Sequence, residues 1–235
     1  MAALIQPLER LAAVGTREGA FRQEQLAASV GHGSTLALLG GMRSMVASGC
    51  WLRANLAWEK RDAAATAALL DLTVAADERS LYFWLNGARI LANDFPEWRM
   101  AGPVPSAFRP IANEECAQLA LRFLEKALRW HGPDAAIYIE MANIQLRRRN
   151  DLNEAARFYR LAAEQPGAPY YAARIHGEML LALGRPEEAL VWLRQILVTL
   201  PANDELARRD VVLERIKLLE MEVASSPSGL RPNVF

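Results

Sequence analysis

Ala155 and Ala189 stand 34 residues apart, and the same interval separates Asn150 from Gly184, Glu154 from Glu188, Leu146 from Leu180, Asn143 from Gly177 and Phe158 from Trp192. A fixed period of this length, with helix punctuation at the same phase in both copies, specifies a repeated helix-turn-helix unit, because one such unit buries its apolar face only against its neighbours. The punctuation is physical. Gly132-Pro133-Asp134 is a stop followed by a helix N-cap, and Tyr138, Met141, Ala142 and Leu146 then recur at three- and four-residue steps, predicting a helix over 135–149. Asn150 tolerates the left-handed conformation that ends a helix, and Asp151 with Glu154 forms a capping-box pattern opening the next one, which Pro166-Gly167 closes. One period later Gly184 takes the terminating role and Pro186 the first helical position, with Glu187 and Glu188 near the positive helix end.

Upstream, Ala120, Phe123 and Ala127 precede Ala155, Phe158 and Ala162 by 35 residues, which makes 114–130 the second helix of an earlier unit. Its partner is 80–93, with Phe83, Gly87 and Ile90 as large, small and large; 45–60 and 62–76 form a further pair carrying Trp51 and Trp58 on one face. Small residues at these positions let two helices approach closely, and a larger one overpacks at about 1–3 kcal/mol. The final helix, 204–224, has Val212, Ile216, Leu219 and Val223 on one side with charges on the other, as a terminal cap needs. The expected division is an N-terminal helical segment 1–44, a repeat array 45–201, a capping helix 202–224 and a flexible tail 225–235. The run from Ser34 to Cys50 is the most apolar, but it is shorter than the roughly 20 residues a span needs and carries Arg43, so it reads as a buried helix.

Several function classes find no support. With 27 basic and 27 acidic residues no whole-chain field favours nucleic acid or an anionic membrane. Cys50 and Cys116 sit outside any ligand spacing and read as buried thiols, so no metal or disulfide framework is expected. There is no phosphate-cradling glycine loop, no His-Glu-x-x-His and no glycine-flanked nucleophile, and the expectation is a chain without catalytic residues or cofactor. His32, His131 and His176 are isolated, and His176 falls at a helix crossing, where packing is its role. The first ten residues meet Pro7 and Glu9 before a signal-length apolar stretch develops, so a cytoplasmic location is expected.

The residues that carry the period resemble the tetratricopeptide repeat family. That family places a small residue on each of two crossing helices, a large apolar residue nearby and a proline at the close of the unit; Gly177, Ala189 and Pro201 fit this pattern, as do Ala155, Ala162 and Pro166. The likeness spans about 45–201 and is strongest over 135–201, with Asn143 standing where the family prefers a smaller residue. It implies an all-α, right-handed solenoid of antiparallel hairpins with a C-terminal capping helix, whose first helices line a concave groove for a partner peptide or helix. On that phase the groove residues are Trp84, Glu140, Ile144, Arg147, Arg148, Tyr171, Arg174 and Glu178. Arg147, Arg148 and Arg149 either stabilise the carboxyl end of their helix or, with Arg174, meet an anionic partner. The stretch from Leu36 to Ala54 resembles one in uncharacterised bacterial tetratricopeptide proteins, some with a membrane anchor upstream, which leaves a peripheral envelope-associated assembly or an enzyme's accessory subunit as alternatives to a free scaffold. Self-association into homo-oligomers is a third.

One segment breaks the period. Between Asp94 and Asn113 the short turn is replaced by some twenty residues containing Trp98, Arg99, Phe108 and several prolines. Two readings stand: the aromatic side chains pack back on the array, or the loop folds over the groove and selects the partner.

Overall fold

The computed structural model describes residues 42–225, and in them the chain is helical throughout, with no strand. The expected N-terminal segment, apart from its last three residues, and nearly all of the expected tail lie outside the described residues. The α-helices are α1 (Arg43–Glu59), α2 (Ala63–Ala76), α3 (Leu81–Arg89), α4 (Phe95–Arg99), α5 (Arg109–His131), α6 (Ala135–Ile144), α7 (Leu152–Ala163), α8 (Tyr170–Ala182), α9 (Pro186–Thr199) and α10 (Arg209–Ser225). Two π-helical turns, Ile90–Asp94 and Gln145–Arg149, extend α3 and α6, and 3-10 turns occupy Ser106–Phe108 and Glu205–Ala207. The chain forms two compact units, divided between Gly132 and Pro133.

In the first unit α1 pairs with α2, and α3 with α5. Asp62 caps α2 by accepting from the Ala65 amide at 3.0 Å, immediately after Arg61 takes a left-handed φ of 55°. Gly87 is the close approach: a Cβ there would lie 2.9 Å from Cε1 of Phe123 on α5. Trp84 packs against the same ring, 4.8 Å between centroids with the planes tilted by 54°.

The second unit runs as a series in which α6 packs on α7, α7 on α8, α8 on α9 and α9 on α10. Its two turns share one design. Asn150 and Gly184 both adopt positive φ, of 53° and 70°, and the amides just beyond them close back on the preceding helix, Asp151 N–H to Gln145 O at 3.0 Å and Arg185 N–H to Leu180 O at 2.9 Å. Ala155, Ala162 and Ala189 are fully buried, as their period requires, and so are Ala120 and Ala127 in the first unit. Gly177 meets Leu193 as Gly87 meets Phe123.

The structure corrects the sequence reading in three places. The segment 94–113 is mostly helical: the π turn runs directly into α4, and α5 begins at Arg109 with Pro110 in its first turn, leaving only a short tip between. Helix α1 is buried on one face alone, since Met45, Leu52 and Leu56 are exposed. Helix α10 buries Val212, Ile216 and Leu219 as expected, but its opposite side is partly apolar, with Val211, Leu218 and Met221 exposed.

Candidate functional site

The residues expected to line a groove separate into buried and exposed groups. Trp84, in the first unit, is closed to solvent; its Nε1–H donates to Glu78 O at 2.9 Å and its ring lies on Phe123, so it is a core side chain rather than a groove wall. Ile144 and Glu140 are also buried, at 3% and 5% exposure. The reason lies in α6, which places Ile137, Ile139, Met141 and Ala142 inside as well and so is enclosed on most of its circumference. A helix apolar on nearly every side is taken into the core and presents no broad face to a ligand.

What the second unit brings together instead is a polar cluster around Tyr159 of α7. The phenol O–H donates to Asn143 Oδ1 of α6 at 2.8 Å. Burial pushes the Tyr159 hydroxyl above its ordinary pKa, Arg147 opposes that shift, and Tyr171 and Glu140 add to it, which places all three within electrostatic reach of one oxygen. Asn143, at a crossing where the resemblance implied a smaller residue, is thus used for its amide oxygen. Neither Tyr159 nor Asn143 stood out as functional in the sequence, because Tyr159 falls in the apolar stripe of α7 beside Phe158; the signal was the phenol itself, since a buried tyrosine hydroxyl needs a partner.

Arg147 and Tyr171 reach the surface from this cluster. Arg148 is half-buried and has its own polar partner. Further along α8, Arg174 donates to the carbonyls of Leu206 and Ala207 at 3.2 and 2.9 Å, closing the 3-10 turn before α10. Burial first, and then the Arg208 guanidinium, lower its pKa. Glu178 forms a bidentate pair with Arg215 of α10. Arg174 and Glu178 therefore anchor the last helix.

Tyr171 and Arg174 also wall an open depression of about 1360 Å³, whose rim includes Tyr170, Leu206, Arg208 and Asp210 and whose base includes Trp192. Its polar base is satisfied, with Trp192 Nε1–H donating to Ala173 O at 2.8 Å. The rim is amphipathic: Tyr171 is 42% and Leu206 78% exposed, and Arg208 makes a long contact of 3.9 Å to Asp210. On the other side of Trp192, buried His176 holds Ala156 O from Nδ1 at 2.8 Å and meets the indole edge to face. A carbonyl only accepts, so Nδ1 carries the hydrogen.

In the first unit the insertion residues pack back. Trp98 lies against Phe95 at 5.1 Å and Trp58 at 6.4 Å, and Trp58 Nε1–H donates to Asp94 Oδ2 at 2.8 Å. Arg99 pairs with Glu115 at 2.5 Å and Arg109 with Glu97 at 3.0 Å, fastening α4 to the start of α5. Phe108 is half-buried in the 3-10 turn. Cys50 and Cys116 are buried and not joined in a disulfide, and burial raises the pKa of Cys50. Among the described residues no group of three acidic, cysteine or histidine side chains converges as a metal site, and no helix is long and apolar enough to cross a membrane. Compared with protein-family models and with curated proteins, the chain matches none.

Proposed function

We propose that this chain is a non-catalytic, tetratricopeptide-type solenoid scaffold that holds a segment of a partner protein in the open depression at the start of α8. The observation that carries the reading is the exposed Tyr171 beside Leu206 and Arg208 on the rim of a concavity whose polar base is already satisfied. Tyrosine and arginine around an apolar contact are the residue types that dominate binding energy at protein interfaces. A satisfied base lets apolar side chains enter without stranding a polar group. The surface nearby suits an extended or helical peptide with one apolar anchor, and Arg147 extends the contact along α6 and its π turn.

The test compares capture by the intact chain with capture by a Tyr171→Ala/Leu206→Ala/Arg147→Ala variant whose helicity is unchanged. A captured protein is then titrated against both by calorimetry, and affinity should fall at least 10-fold, because loss of a hot-spot residue exceeds about 1.4 kcal/mol. Equal affinity for both chains removes the depression as the binding surface.

A further inference from the structure

Between α4 and α5 the chain puts out an uncharged tip. Residues 100–108 lie between Arg99 and Arg109 and contain no charged side chain, and Ala101 to Ala107 are exposed without a break. The base of the tip is fastened on both sides. The Arg99–Glu115 and Arg109–Glu97 pairs hold it, and Ala101 N–H donates to Trp98 O at 3.2 Å while Phe108 N–H donates to Pro105 O at 3.0 Å. These residues bury little themselves, yet their ends are fixed.

The hydrogen-bonding groups of the tip are one-sided. Pro103 and Pro105 lack an N–H, and Val104 N–H turns back onto Gly102 O at 2.8 Å, so the backbone over 103–105 offers carbonyls and no free donor. Pro105, at φ −57° and ψ 135°, has a conformation close to polyproline II. Proline segments of that conformation dock in aromatic-lined grooves. Their carbonyls need donors there once they leave water.

The second unit contains such a groove. Tyr170, Tyr171 and Trp192 line the depression, and its charges are matched, Arg174 and Arg208 against Glu205 and Asp210, so it selects for no ionic ligand. The Trp192 indole N–H is already engaged by Ala173 O, which leaves the base suited to an apolar side chain such as Val104. Tyr171 and Arg208, both exposed, supply donors at the rim. An uncharged ligand with one apolar side chain, bare carbonyls and no donors of its own matches this arrangement, and the tip has each of these properties.

We propose that the tip at Pro103-Val104-Pro105 of one copy docks in the depression of a second copy, so that the chain associates with itself. The docking rests on the depression being a binding surface, and it makes another copy of the chain the occupant. Tip and depression are different surfaces, so each pair leaves one of each open and growth continues unless the rotation closes a ring. Because the tip is fastened before it docks, little conformational freedom is lost on binding. A contact of a few residues lies below the size of stable interfaces, which makes the association reversible and dependent on concentration.

Sedimentation of the full chain over a range of concentrations tests this. The wild-type average mass should climb past twice the 26.1 kDa of one chain. A tip variant, Val104→Asp/Pro105→Gly, and a depression variant, Tyr171→Ala/Leu206→Ala, should each sediment as single chains. Mixed in equal amounts they should form a pair and stop there, since each supplies the surface the other lacks. A peptide of residues 99–109 should shift the Trp192 indole N–H resonance of the tip variant and bind the depression variant at least about 10-fold more weakly. All four substituted side chains are exposed, so circular dichroism should not change; if either variant unfolds, Val104→Lys and Leu206→Lys serve in the same scheme. A wild-type chain of constant single-chain mass overturns the proposal, as does a mixture that stays unpaired or a tip variant that still associates alone. Constant mass with a Trp192 indole signal moved by the tip substitutions puts the tip in its own chain's depression and excludes the second copy. If neither variant changes self-association while a captured protein is still lost from the depression variant, the depression remains a binding surface and the tip is not its occupant. If that capture is also unchanged, the surface itself is removed.

Discussion

Gly87 and Gly177 occupy the same kind of position and should not respond alike to a methyl group. At Gly177 a new Cβ lies 2.9 Å from Cδ2 of Leu193, the end of a rotatable side chain; at Gly87 it lies 2.9 and 3.1 Å from the Phe123 ring, which Trp84 backs. Alanine gains about 1 kcal/mol over glycine within a helix, which offsets the strain at Gly177, whereas overpacking at about 1–3 kcal/mol outweighs it at Gly87. Denaturant titration should therefore show Gly87→Ala less stable by about 1–2 kcal/mol and Gly177→Ala within about 0.5 kcal/mol of the parent. His176 gives a pH signature. Burial, the largest influence, holds its pKa below the ordinary 6.5, outweighing the Ala156 carbonyl that favours the cation. The unfolded chain then takes up a proton before the folded chain does. This contribution to stability is whole above 6.5, drains as pH falls from 6.5 toward the lower folded value, and is flat below that. His176→Phe should flatten this part of the stability profile; an unchanged acid-side slope would assign it to other groups. The packing role of His176 was legible from its place at a crossing. The burial of Trp84 was not, because the period that marks one side of a helix as outward cannot register that Phe123 closes over it.

The turns are where sequence and element correspond most directly. Asn150, Gly184, Asp151 and Pro186 were each readable as punctuation, because left-handed backbone and orphan amides at helix ends constrain residue type without help from tertiary contacts. Asp151 accepts from the Glu154 amide at 3.0 Å as its pattern implies, and Asp134 accepts from Ala136 and Ile137 at 2.8 and 3.2 Å. Asp151→Ala should cost about 1 kcal/mol through loss of the cap. Gly184→Ala should cost a similar amount, about 1–2 kcal/mol, by forcing a Cβ into φ of 70°. Neither should alter the helix content of the folded state, so thermal midpoints with unchanged circular dichroism are the measurement, and a stable Gly184→Ala protein would mean the turn rearranges. The π turns that end α3 and α6 carried no such signal. Nor did the helical course of 94–113, since its prolines read as loop while Pro96 and Pro110 sit in the first turns of α4 and α5, where a proline lacks no needed donor.

At the scale of the molecule, the 34-residue period implies that stability is propagated from helix to neighbour, and the second unit offers a direct trial of that idea. Leu193 is 2% exposed and belongs to a cluster drawn from α8, α9, the 3-10 turn and α10, including Leu180, Ile196, Val212 and Leu219. Leu193→Ala should cost about 2–5 kcal/mol by the cavity it leaves, and it also vacates the space facing Gly177. If the unit is a stack in which each helix is held by those adjacent, the loss is graded: amide exchange should accelerate most in α8, α9 and α10, less in α7 and least in α6. A closed bundle sharing one core would open as a whole and show equal acceleration in all five helices. The gradient also bears on the site, because Tyr171, Arg174 and Glu178 stand on α8, which shares this cluster, and Arg174 and Glu178 anchor the 3-10 turn and α10. Partner affinity should thus fall in Leu193→Ala while the Tyr159 to Asn143 hydrogen bond, on the α6 and α7 side, keeps its exchange protection and its tyrosine signal. Loss of both together would mean that the depression and the polar cluster belong to one cooperative element, and that the period in the sequence describes packing geometry without describing how the fold comes apart.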